Sequence, residues 1–120
     1  MDQNLRILGV NAHPHDFTHC AGTCGIHIRK GDAVTVVVMT DGGRKHNEAY
    51  MDELMKPEAD RDPSVMNQTP AGYAEQKATE IQRVCALFGV TDLRILTFPE
   101  PFRLSRSPEA VDALEEIIRD

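Results

Sequence analysis

The sequence lacks the features that would place this chain across a membrane or on a nucleic acid. None of its apolar runs approaches the roughly 20 residues that a bilayer-spanning helix needs. The N-terminus MDQNLRILGV has no basic region followed by a long apolar stretch, so it does not resemble a signal peptide. Acidic residues outnumber basic ones by 19 to 13, whereas nucleic-acid binding needs a basic face. We therefore expect no membrane span and no nucleic-acid partner.

Cysteine is scarce as well. Cys20, Cys24 and Cys85 are odd in number, and their spacing does not suggest a disulfide framework. This usage is typical of a reducing compartment, so the cytoplasm is the predicted location. The 120 residues are enough for one small domain, and 41% apolar with 27% charged residues is ordinary for a globular chain.

Strand-like and helix-like segments alternate along the chain. Residues 33–40, AVTVVVMT, form a β-branched run that is typical of a strand covered on both faces of a parallel sheet. Shorter strands are predicted at 5–10 and 93–98. Helices are predicted at 18–30, 72–88 and 107–120, and a short one fits 47–55. Thr69 and Pro70 give the second of these helices a plausible start. This order predicts an α/β fold, namely a Rossmann-like three-layer αβα sandwich with a mainly parallel sheet.

Three strands are few for such a sandwich. A three-stranded sheet leaves exposed edges and a small core. We therefore expect residues 1–120 to be a single incomplete domain whose C-terminal strands are missing. Unpaired sheet edges also favour association into a homo-oligomer.

A polar loop follows each predicted strand, at residues 13–19, 40–46 and 99–102. The carboxyl ends of parallel strands meet at one edge of a sheet, where ligands bind in this class of fold. Residues 42–70 would form an unusually long loop, which indicates a lid, a binding loop or disorder.

The first of these loops carries the residue types of a metal site. His13 and Asp16 are three positions apart on a turn, so an imidazole nitrogen and a carboxylate oxygen can face one ion. These are common ligands of catalytic zinc, which lowers the pKa of bound water to about 7 and polarises carbonyl groups. From the spacing alone, however, hydrogen bonding within the loop is the commoner explanation.

Three motifs in succession carry a family resemblance. AHPHDF follows the strand RILGVN, then come RKGDAVTVVVMTDGG and KATEIQRVCALFGV. This succession resembles the PIG-L/LmbE-like family of zinc-dependent N-acetyl-sugar deacetylases, in which the first motif is AHPDDE. The resemblance implies a metal-dependent hydrolase that removes an N-acyl group from an amino sugar or glycoconjugate. It also implies zinc or another divalent metal as cofactor, and a small N-acetyl-sugar-like substrate as partner.

The same resemblance assigns residues to the site. It makes His13 and Asp16 metal ligands, whereas the family's third ligand is a histidine far downstream, and no histidine follows His46 here. Lys77 stands in place of the family's arginine and lacks its bidentate fork. The predicted substrate-binding residues are Thr40, Asp41, Gly42, Gly43 and Lys77.

Two positions depart from the family pattern. His15 replaces the aspartate that acts as general base, and Phe17 replaces a glutamate. A neutral histidine can also serve as a base, so His15 is the predicted catalytic residue. Two alternatives stay open: His15 as a third metal ligand, or as a polar loop residue in a variant of altered activity. In the latter case the protein would be a non-catalytic sugar-binding member of the fold, or a structural or regulatory domain.

A second cluster lies on the first predicted helix. Cys20, Cys24 and His27 fall on one helical face, with His19 nearby, and could bind a soft metal. Small thiols equally suit close packing of the helix on the sheet, which is the favoured interpretation.

Other charged residues have plainer interpretations. Arg44, Lys45 and His46 fit either substrate contacts or, more readily, a solvated turn. Lys77 and Glu80 are spaced for an ion pair on the helix surface. Glu100 lies in a proline-flanked loop and receives no role.

Overall fold

The computed structural model describes residues 3–43, 47–99 and 103–120. Its three strands, β1 (Arg6–Asn11), β2 (Ala33–Val38) and β3 (Asp92–Ile95), form one parallel sheet in the order β1-β2-β3. β2 is therefore the central strand, and its last three valines are fully buried. This confirms the prediction that the β-branched run is covered on both faces.

Within the described residues, five α-helices accompany the sheet. They are α1 (Ala21–Arg29), α2 (Glu48–Leu54), α3 (Pro63–Met66), α4 (Pro70–Leu87) and α5 (Pro108–Arg119). Short 3₁₀ helices span Pro14–His19, Glu58–Asp60 and Leu104–Arg106. The Thr69 hydroxyl accepts a hydrogen bond from the Gly72 backbone N–H, and Pro70 is the first helical residue. This cap starts α4 at Pro70, the start that Thr69 and Pro70 predicted and two residues before 72, because proline suits the first position of a helix.

Helices pack on both faces of the sheet, which confirms the three-layer αβα architecture. Side chains alternate along a strand, so Val36 and Val38 face one layer while Val37 faces the other. On the first face, α1 and α4 contribute Ala21, Cys24, Ile81 and Cys85 to the core. On the second face, α5 contributes Ala110, Leu114 and Ile117.

The segment between β2 and α4 is more ordered than the sequence indicated. Asn47 caps α2 by accepting a hydrogen bond from the Tyr50 backbone N–H. The buried Glu53 carboxylate accepts hydrogen bonds from Lys56 Nζ at 2.7 Å and from the Asp62 backbone N–H at 2.9 Å. These local bonds replace the expected 42–70 loop by α2, a 3₁₀ turn and α3.

Other predicted boundaries were also wrong. β2 ends at Val38 rather than at residue 40. Residues 18–19 belong to the 3₁₀ helix Pro14–His19, so α1 begins only at Ala21. β3 ends at Ile95 rather than at residue 98, although the Leu96 backbone N–H still donates to the Val38 carbonyl at 2.7 Å.

β1 lies at the edge of the sheet, and Val10 on this strand is half exposed. Association through this edge stays a prediction. Among the described residues, no helix is both long enough and apolar enough to span a bilayer.

Candidate active site

The candidate site begins where β1 ends. The buried Thr40 hydroxyl donates a hydrogen bond to the Ala12 carbonyl at 2.8 Å, and the Thr40 backbone N–H donates to the same oxygen at 3.1 Å. Thr40 thus ties the end of the central strand to the residue directly before His13. This is a positioning contact, and the substrate contact that the sequence predicts for Thr40 stays a prediction.

Asp16 lies between two imidazoles. Its Oδ2 atom accepts a hydrogen bond from the His13 backbone N–H at 2.8 Å and lies 3.5 Å from His13 Nδ1. Its Oδ1 atom lies 3.1 Å from His15 Nε2. The two histidine rings are stacked, with centroids 5.9 Å apart and an interplanar angle of 14°. The three side chains are partly exposed, so this cluster is open to solvent and to ligands.

His13 and Asp16 fit two positions of a zinc shell. Two ligands bound about 2.0–2.1 Å from a tetrahedral zinc lie roughly 3.3 Å from each other. The 3.5 Å between His13 Nδ1 and Asp16 Oδ2 is close to that separation. Within the described part of the chain, no group of three or more histidine, cysteine, aspartate or glutamate side chains is arranged to hold a metal. His15 contacts the other carboxylate oxygen, so this arrangement does not support it as a third ligand.

A pocket of about 350 Å³ adjoins this cluster. The loop after β1 and the loop after β2 form one wall, while α2 and α4 form the other. The lining residues are His13, Pro14, His15, Gly42, Asn47, Glu48, Ala49, Gln68, Tyr73, Gln76 and Lys77.

The predicted substrate-binding residues 41–43 are divided between this pocket and a neighbouring cavity. Gly42 lines the pocket, but Asp41 and Gly43 line a neighbouring cavity of about 340 Å³ together with Pro70 and Phe98. The Asp41 carboxylate accepts a hydrogen bond from the Gly43 backbone N–H at 2.9 Å and so stabilises the turn.

The two glycines have a structural explanation. Gly42 has φ +71°, and a Cβ atom there would lie 2.9 Å from Pro14 Cδ. A Cβ atom on Gly43 would lie 2.6 Å from the Pro70 carbonyl oxygen. Side chains at these positions would therefore collide with the protein itself. The absence of a side chain at these positions thus permits close contact with Pro14 and Pro70.

Lys77 reaches the pocket from α4. Its Nζ atom lies 2.9 Å from Glu80 Oε2 and 5.2 Å from the centre of the Tyr73 ring, which confirms the predicted ion pair. Partial burial is the largest single effect on the pKa of Lys77 and lowers it, but the hydrogen bond with Glu80 and the interactions with Tyr73 together outweigh burial, so the pKa is raised. Lys77 is therefore a fixed cation at the pocket wall.

Three amide side chains that the sequence analysis did not identify line the pocket as a connected row. Asn47 Nδ2 donates to Gln68 Oε1 at 3.3 Å, and Gln68 Nε2 donates to Gln76 Oε1 at 2.9 Å. No motif marks them, because they come from α2, the turn before α4, and α4 itself. The one available signal was the spacing of Tyr73, Gln76 and Lys77, which puts these residues on one helical face.

The second cluster is a packing feature. Cys24 and Cys85 are buried in the core between α1 and α4, and the three cysteines are free thiols. Burial, together with the neighbouring Cys24 and Cys20, raises the pKa of Cys85 to about 11, so its thiol stays protonated. His27 pairs with Asp32 instead of a thiol. Arg44, Lys45, His46 and Glu100 lie outside the described residues.

Comparisons with known proteins agree with this fold. A family model described as PIG-L: GlcNAc-PI de-N-acetylase matches residues 8–120. A 1D-myo-inositol 2-acetamido-2-deoxy-alpha-D-glucopyranoside deacetylase of Thermobifida fusca is 35% identical over 92 residues, or 76% of this chain. The chain spans 29% of the length of that relative.

Two solved structures share the architecture. A 4-carboxy-2-hydroxymuconate hydratase from Pseudomonas putida matches 96% of this chain and 42% of its own, with a TM-score of 0.73 and 20% identity. An N,N'-diacetylchitobiose deacetylase from Pyrococcus horikoshii matches 95% of this chain and 36% of its own, with a TM-score of 0.65 and 22% identity. At such identities the likeness shows the fold alone, and the two proteins are named for different reactions.

Proposed function

Because this chain belongs to the PIG-L family of GlcNAc-PI de-N-acetylases, we propose that it carries the site of a metal-dependent hydrolase. The reaction is removal of an N-acyl group, in the simplest case acetyl, from an amino sugar or glycoconjugate. One observation carries the proposal: Asp16 lies between His13 and His15 beside a polar pocket at the carboxyl ends of the strands. A relative named as a deacetylase of an acetylated amino sugar supports it.

His13 and Asp16 would hold zinc or another divalent metal. When bound, such an ion supplies a Lewis acid beside the amide carbonyl and lowers the pKa of water. His13 borders the pocket where that carbonyl would lie, and Asp16 Oδ2 lies 3.5 Å from His13 Nδ1. Asp16 is also fixed by the His13 backbone N–H, so its carboxylate needs little reorganisation on binding.

His15 is the proposed general base. Its Nε2 atom lies 3.1 Å from Asp16 Oδ1, and this contact orients the imidazole at the pocket wall. In the reaction, a water oxygen bonds to the acyl carbon while His15 takes the water proton. The carbon–nitrogen bond then breaks, and the same proton passes to the leaving amine. The products are a carboxylate and a free amino sugar.

The polar wall is proposed to bind the sugar. Asn47, Gln68 and Gln76 offer amide donors and acceptors that already hydrogen-bond to one another, as Gln68 does on both sides. Lys77 adds a donor whose charge is balanced by Glu80. Hydroxyl groups can join such a row without leaving a buried polar group unpaired.

Metal dependence and turnover test the proposal together. Purified protein is expected to contain zinc or another divalent metal and to release acetate from N-acetylglucosaminides. A chelator should abolish this release, and added zinc should restore it. The proposal is contradicted if hydrolysis is unchanged in metal-free protein, or in His13→Ala.

A binding-only function is the second candidate, and His15 at the family's aspartate position favours it. It predicts affinity for metal and sugar without acetate release, and a gain of activity in His15→Asp. A purely structural role predicts instead that His13→Ala lowers the Tm while metal content and sugar affinity stay unchanged.

Three further properties belong to the proposal. We infer that residues 1–120 lie in one domain and that the protein works in the cytoplasm, where its thiols stay reduced. Self-association through the β1 edge is expected to appear in sedimentation velocity as a species of twice the monomer mass.

A further inference from the structure

We propose that a small apolar cavity beside His15 is a subsite for an N-acyl chain longer than acetyl. The inference rests on the proposed hydrolase function and names the substrate class that this site prefers. The cavity measures about 120 Å³. Pro14, His15 and Lys77 line both this cavity and the large polar pocket, so the two spaces adjoin at the proposed base.

The two spaces differ in chemistry. The large pocket is lined by amides and by the Lys77 ammonium group. The small cavity is walled mainly by carbon, with Phe17, Ile81 and Val84 as its apolar lining. Phe17 and Ile81 are buried in the core cluster, and Val84 packs against that cluster. Core packing therefore holds these three side chains in place. A sugar suits the first space and an alkyl chain suits the second.

Phe17 is the residue that makes the small cavity apolar. It stands where the resembled family has glutamate, and its ring packs edge-on against Phe88 at a centroid distance of 6.2 Å. A carboxylate there would keep the space wet, because an ionised group in an apolar cavity is costly unless it is paired. The aromatic ring removes that cost, so this chain can accommodate an alkyl group at this position.

The dimensions limit the chain length. An engineered cavity of about 150 Å³ takes up a benzene ring, so 120 Å³ suits about four to six carbons. Glu80 also borders the cavity, but its carboxylate is paired with Lys77 at 2.9 Å. The charged groups there are thus already neutralised by each other. Each buried methylene is expected to raise kcat/KM roughly fourfold.

The test compares N-acetyl-, N-butanoyl- and N-hexanoylglucosamine as substrates of the full chain. We expect kcat/KM to rise by about tenfold or more from acetyl to butanoyl. Val84→Phe fills the cavity and should remove this preference while hydrolysis of the acetyl compound changes less than about threefold. Leu87→Phe is the matched control, because Leu87 lies on the same helix, is 83% exposed and does not border the cavity. Val84→Met repeats the test if the larger variant fails to fold.

The outcomes distinguish a failure of the acyl-chain subsite from a failure of the proposed hydrolase function. If no compound is hydrolysed, the proposed function is overturned, and calorimetric binding of acetate, butanoate and hexanoate to the wild type and Val84→Phe decides the subsite. Equal affinities or equal kcat/KM across the chain lengths overturn the subsite while leaving deacetylation intact. The subsite is also overturned if Val84→Phe and Leu87→Phe change the chain-length preference to the same extent. A preference for alkyl glycosides over longer acyl groups would overturn it too, since the cavity would then bind the aglycone.

Discussion

Histidine–aspartate pairs lie at both ends of the parallel sheet. At the amino end, His27 Nδ1 lies 2.7 Å from Asp32 Oδ2, and Asp32 Oδ1 accepts a hydrogen bond from the Leu5 backbone N–H at 2.7 Å. The Asp32 side chain is only 5% exposed. This pair fastens the α1–β2 turn to the residue that precedes β1.

The pair at the carboxyl end is looser and more open. The Asp16 side chain is 26% exposed, and its contacts to His15 Nε2 and His13 Nδ1 measure 3.1 and 3.5 Å. The same residue types therefore serve two purposes. Short contacts to a nearly buried carboxylate make the amino-end pair a structural clamp, whereas longer contacts beside a 350 Å³ pocket suit the other pair to a ligand.

Alanine substitution of one histidine from each pair gives the largest expected contrast. His13→Ala should lower kcat/KM for deacetylation by about a thousandfold or more, because metal binding supplies several kcal/mol to the transition state. It should leave the Tm nearly unchanged. His27→Ala should lower the Tm by several degrees and leave kcat/KM within about threefold. Steady-state kinetics and thermal unfolding of both variants check this, and similar behaviour of the two variants would refute the contrast.

His15 tests whether the carboxyl-end pair is catalytic as well as metal-binding. Removing a general base costs about 100-fold to 10,000-fold in rate, so His15→Gln should lower kcat by that order while metal content is retained. His15→Asp serves as the comparison, because it returns the residue of the resembled family. If His15→Gln keeps full kcat, His15 is a polar loop residue and another group is the base.

The clamp at the amino end should show its own dependence on pH. The Leu5 N–H, and then His27, lower the pKa of the Asp32 carboxyl from 3.8, so folding favours the ionised form. Its stabilisation is present above pH 3.8 and is lost as the pH falls through the lower folded value. Urea unfolding between pH 2 and 6 should therefore show a smaller acid-induced loss of stability in Asp32→Asn than in the wild type. Equal slopes in the two proteins would show that Asp32 is not held in this way.

The fold followed from local signals more fully than the site did. The β-branched run that contains Val36, and the Thr69–Pro70 helix start, are each encoded within a few residues, and both appear in the structure. His13 and Asp16 came together because they are three positions apart on one turn. Asn47 and Gln68 meet only through packing between separate elements, for which the sequence has no short-range signal.

Thr40 also shows that contacts between separate elements cannot be predicted from a short stretch of sequence. Its place after the central strand predicts that it lies near the site, but the partner of its hydroxyl depends on the register of β1 against β2. The register puts the Ala12 carbonyl within 2.8 Å, so the hydroxyl is used in positioning. A motif alone cannot distinguish a residue that binds a ligand from one that supports its neighbour.

The smallest expected effect concerns Asn11, and it compares one hydrogen-bond donor at each end of the sheet. At the amino end the Leu5 N–H is satisfied by Asp32, whereas at the carboxyl end the buried Asn11 Nδ2 has no hydrogen-bond partner among the described residues. An unpaired buried donor costs free energy, and an apolar residue of similar shape removes that cost. Asn11→Leu should therefore change the free energy of unfolding by less than about 1 kcal/mol, and in the stabilising direction. Asn11→Ala is the control for lost volume. A loss of 2 kcal/mol or more in Asn11→Leu, measured by urea unfolding, would mean that the amide is satisfied in the folded protein, and the two ends of the sheet would then be alike in this respect.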